Sequence, residues 1–427
     1  MTTPSSSRFL SPLVLLVALC AGLAPSAEAQ LRSRPRSDLG ADRAQEVLEL
    51  LGPEHIVRDA WRTTSKHFFS RALLRKKGWD KSLTRALAKA KGLTDAEDVH
   101  HVINGMLGEL KVSHLGLLEH DVWKRELSYE FRNKPYPKAG CELVLLEGRY
   151  FVAGVADVSP AAKAGLLDGD EVVRIDGVAP DQSKLLVDAG HDPGLPGPPS
   201  FSLRVKEGRA VQFRVRRQRG GPLLDRTMNP KPFSLIQAAR SAVRIEKVEG
   251  ARVGVIELPH FIHSAMYRIT RDALHGKLKD ADALVLDVRG RGGSSGVVRA
   301  ILGLFGGRRA VWHKPVVVLT DGHTRSAKEI FAHRWRQMKL GPIVGERTQG
   351  AVIACRFFEL SDGSILCLPI RDVRFLSGGV DLEGVGVQPD VRVTQHPLPY
   401  RQGKDRILTA GLRRAAGMTK ASKPEAF

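Results

Sequence analysis

Apolar residues recur along residues 41–111 at helical intervals. Val99, Val102, Ile103, Met106, Leu107 and Leu110 are spaced by threes and fours, which places them on one helical face. Asp95 or Thr94 stands where a cap is wanted. At Val112-Ser113-His114-Leu115-Gly116-Leu117-Leu118 the pattern switches to strand-like usage. Residues 138–217 carry short alternating or β-branched runs, Tyr150–Val155, Glu171–Ile175 and Val211–Val215, which predict strands. Ser159–Gly165 predicts a short helix, with Pro160 in its first turn and Gly165 at its end. Asp192–Pro199 is too proline-rich for an element, and Gly220-Gly221-Pro222 reads as a linker. From 240 to 395 the buried-strand runs Val253–Leu258, Ala283–Val288 and Val316–Thr320 alternate with helical stretches such as Ala327–Met338. That is the rhythm of βαβ units. Arg406–Ala416 predicts a closing basic helix.

The first 29 residues stand apart. Arg8 precedes an apolar stretch from Leu13 to Ala24, and Ala27-Glu28-Ala29 fits the small-residue rule for signal cleavage. Residues 1–29 are therefore expected to be a signal peptide and the protein to be exported, periplasmic or secreted. The alternative is a short hydrophobic anchor. Residues 30–40 are polar and rich in Arg, Ser and Pro, a disordered lead-in. No later apolar run is long enough for a bilayer span, so no integral membrane segment is expected. Cleavage would remove Cys20 and leave Cys141, Cys355 and Cys367 in an oxidising compartment. Cys355 and Cys367 flank Ser361-Asp362-Gly363-Ser364, and the spacing leaves a bridge between them open.

The chain of 427 residues carries 66 Lys+Arg against 46 Asp+Glu, a formal charge of +20. The cations are scattered, and aromatic residues, at 6%, do not interleave with them as a base-stacking platform would. Solvated faces are the better reading, and no nucleic-acid partner is expected. Charge alone admits association with anionic surfaces. His100-His101, His260 and His263 lack acidic partners at metal-ligand spacing, so they read as structural or surface residues. No metal and no cofactor is expected.

Several motifs carry a resemblance. Gly165-Leu-Leu-Asp-Gly-Asp-Glu-Val-Val-Arg-Ile-Asp-Gly177, preceded by Ser159-Pro-Ala-Ala, resembles a PDZ domain of bacterial proteases. Leu286-Asp-Val-Arg-Gly-Arg-Gly-Gly293, Ser326-Ala-Lys-Glu329, Gly345-Glu-Arg-Thr-Gln-Gly350 and Leu382-Glu-Gly-Val-Gly-Val-Gln-Pro-Asp390 resemble, in order, the core of the carboxy-terminal processing (tail-specific) serine proteases. The resemblance implies an α/β multidomain protein. It would have an N-terminal helical region at 41–137, a PDZ-like β-rich domain inserted at 138–219, a crotonase-like βαβ-spiral protease core at 220–399, and a C-terminal helix and tail at 400–427.

In that family a lysine follows the Gly-Glu-x-Thr-x-Gly motif and deprotonates the serine; here the position is Ala351. Lys328 lies about 200° around a helix from Ser326, a poor substitute, and arginine stays protonated. The related tricorn-core branch uses a Ser-His-Ser-Glu tetrad instead. By that resemblance Ser326 is the nucleophile, His114 the base, and Ser113 with Glu383 the relay that orients it. The N–H groups of Ala327 and of Gly292 or Gly293 are the oxyanion-hole candidates. His323 is a rival base.

Each residue also has a plainer reading. Ser326-Ala-Lys-Glu329 is a capping box. His114 shares strand parity with Val112 and Leu118, as a core histidine would. Neighbours in a regular strand face opposite ways, so Ser113 reaches the imidazole only if the backbone is irregular there. The expected function is an exported serine endopeptidase that acts on unfolded or C-terminal polypeptide segments, with the PDZ-like unit taking substrate C-termini. The alternative is a non-catalytic peptide-binding protein on a protease scaffold.

Overall fold

The computed structural model describes residues 41–124, 131–132, 134–188 and 198–421. The expected signal peptide, the lead-in and most of the proline-rich 192–199 stretch lie outside the described residues. Five helices come first: α1 (Ala41–Leu51), α2 (Pro53–His67), α3 (Arg71–Lys76), α4 (Trp79–Ala90) and α5 (Ala96–Gly108). α5 is the helix the spacing predicts. Asp95 caps it by accepting the Glu97 N–H at 2.7 Å, and Val99, Ile103, Met106, Leu107 and Leu110 are buried. β1 (Gly116–Leu118) and the short α6 (His120–Trp123) follow. The strand expected from Val112 begins only at Gly116. His114 has φ 57°, a left-handed conformation outside the strand region.

β2 (Tyr136–Lys138) leads into β3 (Glu142–Leu146), β4 (Arg149–Ala153), the helical turn α7 (Pro160–Lys163), β5 (Glu171–Ile175), β6 (Leu186–Asp188), β7 (Ser200–Leu203), β8 (Val211–Arg216) and β9 (Leu223–Met228). Ser159 caps α7 by accepting the Ala162 N–H at 3.1 Å. β3 to β9 form one seven-stranded antiparallel sheet in the order β6-β7-β3-β4-β5-β8-β9. Its inward positions, among them Leu143, Val152, Phe213, Val215 and Met228, share a core with Ala161 and Leu166. The linker expected at Gly220-Gly221-Pro222 is instead the turn of the β8–β9 hairpin, where the Gly221 N–H bonds the Gln218 carbonyl at 2.9 Å. Glycine and proline punctuate a turn as readily as a boundary, and pattern alone does not separate the two.

The chain then runs through β10 (Lys231–Phe233), α8 (Leu235–Ser241), β11 (Arg244–Val248), β12 (Ala251–Glu257), α9 (Ala265–His275), β13 (Ala283–Asp287), α10 (Ser295–Phe305), β14 (Val316–Thr320), α11 (Ala327–Gln337), β15 (Ile343–Gly345), β16 (Ala354–Glu359), β17 (Ile365–Arg371), β18 (Val391–Arg392) and α12 (Arg406–Ala421). β10 pairs with β2. A six-stranded sheet runs β11-β12-β13-β14-β15-β18, parallel except for β11. Its inner strands β13, β14 and β15 are buried on both faces, which is why they read as continuous apolar runs. Ile256, Leu284, Leu286, Val316, Val318 and Ile343 face the side where α9, α10 and α11 pack. The alternate residues Val253, Val255, Val285, Val317, Leu319 and Val344 face Ile407, Ala415 and Ala416 of α12.

A third sheet, β1-β17-β16, links the N-terminal helices to the C-terminal half. His100 on α5 has a structural partner: its Nε2 lies 2.7 Å from Oδ2 of buried Asp362 at the β16–β17 turn. The two are 262 positions apart, beyond the reach of any spacing argument. Cys141, Cys355 and Cys367 are not disulfide-bonded. Cys355 lies opposite Pro369, and Cys367 opposite Phe357. Among the described residues no helix is long and apolar enough to cross a membrane.

Candidate active site

β14 ends at Thr320, a tight turn follows, and α11 starts at Ala327. Ser326 occupies the joint between them with φ 58° and ψ −126°. A non-glycine residue in that conformation stores strain, and it persists only where the surroundings hold it. Here they do. The Ser326 N–H bonds the Ala351 carbonyl at 2.8 Å and Glu329 Oε2 at 3.1 Å. The Glu329 N–H bonds the Ser326 carbonyl at 2.9 Å. The first turn of α11 is thus held through the serine backbone.

Glu329 does more than cap. It is fully buried, and its carboxylate also accepts the Thr348 hydroxyl at 2.5 Å, the Gly350 N–H at 2.7 Å and the Ala351 N–H at 2.7 Å. Burial nevertheless pushes its pKa above the ordinary carboxylate range. Sequence reasoning saw only the capping box. The Gly345–Gly350 motif was the available signal, because a conformationally special loop needs something to hold it.

The glycines after β13 approach from the other side. A Cβ on Gly292 would collide with the Ser326 side chain and lie 2.8 Å from the Arg325 carbonyl oxygen. Gly293 has φ 151° and leaves no room for a side chain beside Phe261. The Phe261 N–H bonds the Gly292 carbonyl at 2.8 Å, and the Ser294 N–H bonds the Phe261 carbonyl at 2.9 Å. Among the described residues the N–H groups of Gly292, Gly293 and Ala327 donate to no backbone acceptor. Arg289 anchors the start of this stretch, forked onto Asp405 at 3.0 and 2.7 Å and onto Asp287.

Lys328 points away from this chemistry. It is completely buried, and its Nζ donates to the carbonyls of Leu258 and Arg289, both at 2.6 Å. Burial pushes its pKa down to about 7. It ties α11 to the loops that carry Phe261 and the glycines.

The histidine comes from the irregular stretch before β1. Ser113 Oγ lies 2.8 Å from His114 Nδ1 and donates to Glu383 Oε2 at 3.1 Å. The Ser113 N–H donates to Glu383 Oε1 at 2.9 Å. The φ of 57° at His114 is what lets adjacent side chains meet, since a regular strand would send them to opposite faces. The Cys367 thiol donates to the His114 carbonyl at 3.2 Å.

One peptide group joins the two halves. The carbonyl of Ala351 accepts from Ser326 at 2.8 Å, and the other end of that peptide, the Val352 N–H, donates to Glu383 Oε2 at 2.7 Å. Bond lengths then hold Ser326 N and Glu383 Oε2 within about 8 Å of each other. Residues separated by 270 positions are so gathered around residues 351–352. His323, the rival base, is exposed and has Nδ1 3.8 Å from Asp321 Oδ2. His260 and His263 accept neighbouring N–H groups, of Ile262 at 3.1 Å and Ala265 at 3.0 Å.

Residues 303–393 match the model of Peptidase family S41. A putative tricorn protease homolog 2 of Streptomyces coelicolor is 25% identical over 434 residues, 93% of this chain and 36% of that protein. The chloroplastic carboxyl-terminal-processing peptidase 2 of Arabidopsis thaliana is 28% identical over 285 residues, 61% of this chain and 52% of that protein. The chain thus spans about a third to a half of the length of these relatives. The solved structure of a photosystem II D1 C-terminal processing protease superposes with a TM-score of 0.51 at 20% identity, covering 83% of this chain and 98% of that one. The resemblance carried by the motifs is therefore shown: the chain is similar to the S41 carboxy-terminal processing peptidases. These relationships support a serine-type peptidase.

Proposed function

We propose that this protein is an exported serine endopeptidase that cleaves unfolded or C-terminal polypeptide segments through an acyl-enzyme on Ser326. The observation that carries the reading is the chain Glu383–Ser113–His114, tied to the Ser326 backbone through the 351–352 peptide. The hydroxyl proton of Ser113 goes to Glu383, so Ser113 Oγ accepts from Nδ1–H of His114. That assigns Nε2 as the unprotonated nitrogen.

The steps follow from that tautomer. Ser326 Oγ attacks the substrate carbonyl carbon while His114 Nε2 takes its proton. The oxyanion is met by the N–H of Ala327 and of Gly292 or Gly293. The imidazolium returns its proton to the leaving amine, and the acyl-serine remains. Water, deprotonated by the same nitrogen, then releases the acid. Glu383 stays ionised and stabilises the imidazolium through Ser113. No lysine is needed, which accounts for Ala351.

In this reading the parallel-sheet half is a crotonase-like protease core and the seven-stranded sheet a PDZ-like unit that receives polypeptide chain ends. The test is labelling with a fluorophosphonate probe. Wild type should label at Ser326 and hydrolyse an unfolded polypeptide; Ser326→Ala should do neither while it unfolds at the same urea concentration. A folded wild type that binds peptides without labelling would favour the peptide-binding scaffold.

A further inference from the structure

β1 lies at the edge of its sheet, with β17 as its one strand neighbour among the described residues. In an antiparallel pair, alternate residues turn their N–H and C=O away from the partner strand. At Leu117 those groups meet a side chain. The Leu117 N–H donates to Asn104 Oδ1 at 2.7 Å, and Asn104 Nδ2 donates to the Leu117 carbonyl at 3.1 Å. The amide stands where another strand would. Only one orientation of it satisfies both bonds, so its two ends are assigned by their partners.

Asn104 sits inside α5, where asparagine is a poor helix former. What it brings is the amide. The helix that carries it is fixed. Val99, Ile103, Met106 and Leu107 are buried. One turn earlier on the same face, His100 Nε2 lies 2.7 Å from Asp362 Oδ2. Asp362 is itself held, accepting the Ser364 N–H at 3.1 Å and the Ser364 hydroxyl at 2.6 Å. α5 therefore holds the β16–β17 turn through His100 and β1 through Asn104.

His114 lies on the span between α5 and β1, residues 109–115, which belongs to neither element. Lys111 and His114 on that span have φ of 52° and 57°. Two left-handed residues that are not glycine are strained backbone, which the surroundings must hold. On the β17 side the holders are the Gly116–Cys367 register and the Cys367 contact to the His114 carbonyl. On the α5 side the holder is Asn104, which seizes the chain three positions after His114.

We propose that Asn104 is a positioning residue for the general base of the peptidase reading, on which this inference rests. By fixing where β1 starts relative to α5, its amide sets the course of residues 109–115 and with it the orientation of His114. It acts through the backbone of Leu117 and takes no proton.

The test compares full-length wild type with Asn104→Ala, each with and without His114→Ala. Fluorophosphonate titration counts active sites, and labelling rate and turnover of an unfolded polypeptide are referred to that count. Asn104→Ala should label the same fraction of sites roughly ten- to a hundredfold more slowly, with kcat falling alike and KM unchanged, the scale of a misplaced catalytic group. In the His114→Ala background the second change should cost nothing further, because no imidazole is left to misplace. A wild-type rate in Asn104→Ala overturns the role. So does an equal loss in both backgrounds, or a fall confined to the number of labelled sites, since each belongs to a merely structural side chain. Asn104→Asp keeps an acceptor for the Leu117 N–H and carries the same comparison if the alanine variant does not fold. A readout free of catalysis separates this role from the peptidase reading. The imidazole nitrogen NMR signals of His114, assigned by their loss in His114→Ala, should shift in Asn104→Ala while those of His333 on α11 stay. If wild type neither labels nor hydrolyses polypeptide, the peptidase reading fails, and a shift of the His114 signals still supports placement by Asn104; unmoved signals overturn it.

Discussion

The serine half and the histidine half of the site are built in different ways. Ser326 stands between a buried parallel strand and a helix, and its strained backbone is held by Ala351 and by Glu329, a carboxylate with three further donors. Regular elements supply most of that geometry. His114 has no element of its own. Its ring is held at Nδ1 by Ser113, and Ser113 by the single carboxylate of Glu383, which sits in a loop between Leu382 and the left-handed Gly384. The serine half is thus held by a buried carboxylate that gathers four donors, and the histidine half by a shorter line of hydrogen bonds. Damage to the first should be felt in stability as well as rate, and damage to the second mainly in rate.

The largest effect is expected at the end of that line. His114→Ala should cut turnover of an unfolded polypeptide by about 10⁴-fold or more, as loss of the base does in other serine hydrolases. Its urea midpoint should stay near wild type, because the Cys367 contact uses the backbone carbonyl. Fluorophosphonate labelling at the wild-type rate would put the base elsewhere. Next comes Glu383→Gln. An amide cannot serve both the Ser113 and Val352 N–H groups and the Ser113 hydroxyl. The expected loss is roughly 10²- to 10⁴-fold in kcat with little change in KM, the signature of an interaction that counts only when the imidazolium forms. A rise confined to KM would contradict the relay.

That contrast also governs what the sequence made legible. β14 and α11 were readable because the apolar run Val316–Leu319 and a helical stretch state their own periods, and Ser326 falls where they meet. α5 was readable for the same reason, down to its cap. The histidine half was not. Val112–Leu118 reads as one strand, and nothing in its pattern reports the turn at His114 that brings Ser113 to the ring. The roles of Ser326, Ser113, His114 and Glu383 all came from resemblance. What residue types cannot give is a partner chosen across the fold. His100–Asp362 is such a case, and so is the Ala351–Val352 peptide, since any residue supplies a carbonyl and an N–H. The turn at 220–222 failed differently, because turn and linker share a composition.

Glu329→Gln tests the other arm of the comparison. The amide keeps the shape but can no longer accept from all four donors, so a loss of about 1–3 kcal/mol is expected, read as a lower urea midpoint. Activity should fall as well, because Ala351 and Ser326 lose their common anchor. The pH dependence has a definite sign. Burial raises the folded pKa of Glu329 above its ordinary 4.5. As pH rises above that value, the unfolded chain loses the proton first, so the contribution of this group to stability declines until the folded pKa is passed. The glutamine variant should lack that decline. An activity loss with no change in midpoint or slope would mean that Glu329 acts on the chemistry rather than on the frame.

The smallest effect concerns a slope. Lys328 is buried with its pKa pushed down to about 7 by desolvation, against the opposing pull of Asp287 and Asp321 and with the help of Arg289. Unfolded, the same amine titrates near 10.5. Between those values the unfolded chain binds a proton that the folded chain does not, so stability should rise with pH. Lys328→Met removes the titration but also leaves the carbonyls of Leu258 and Arg289 without their donor. Its offset from wild type at one pH therefore mixes two causes, whereas the change in that offset between pH 7.5 and 9 isolates the first. An increase of about 1–2 kcal/mol in the wild-type advantage over that interval is expected from urea unfolding. The ammonium and the neutral amine both have enough N–H donors for two carbonyls, so the frame behind Gly292 and Gly293 should survive the titration. Turnover of wild type should then show no step assignable to Lys328 near pH 7. A step that vanishes in Lys328→Met would instead make this lysine a member of the reacting group, and the serine half would no longer be a passive frame.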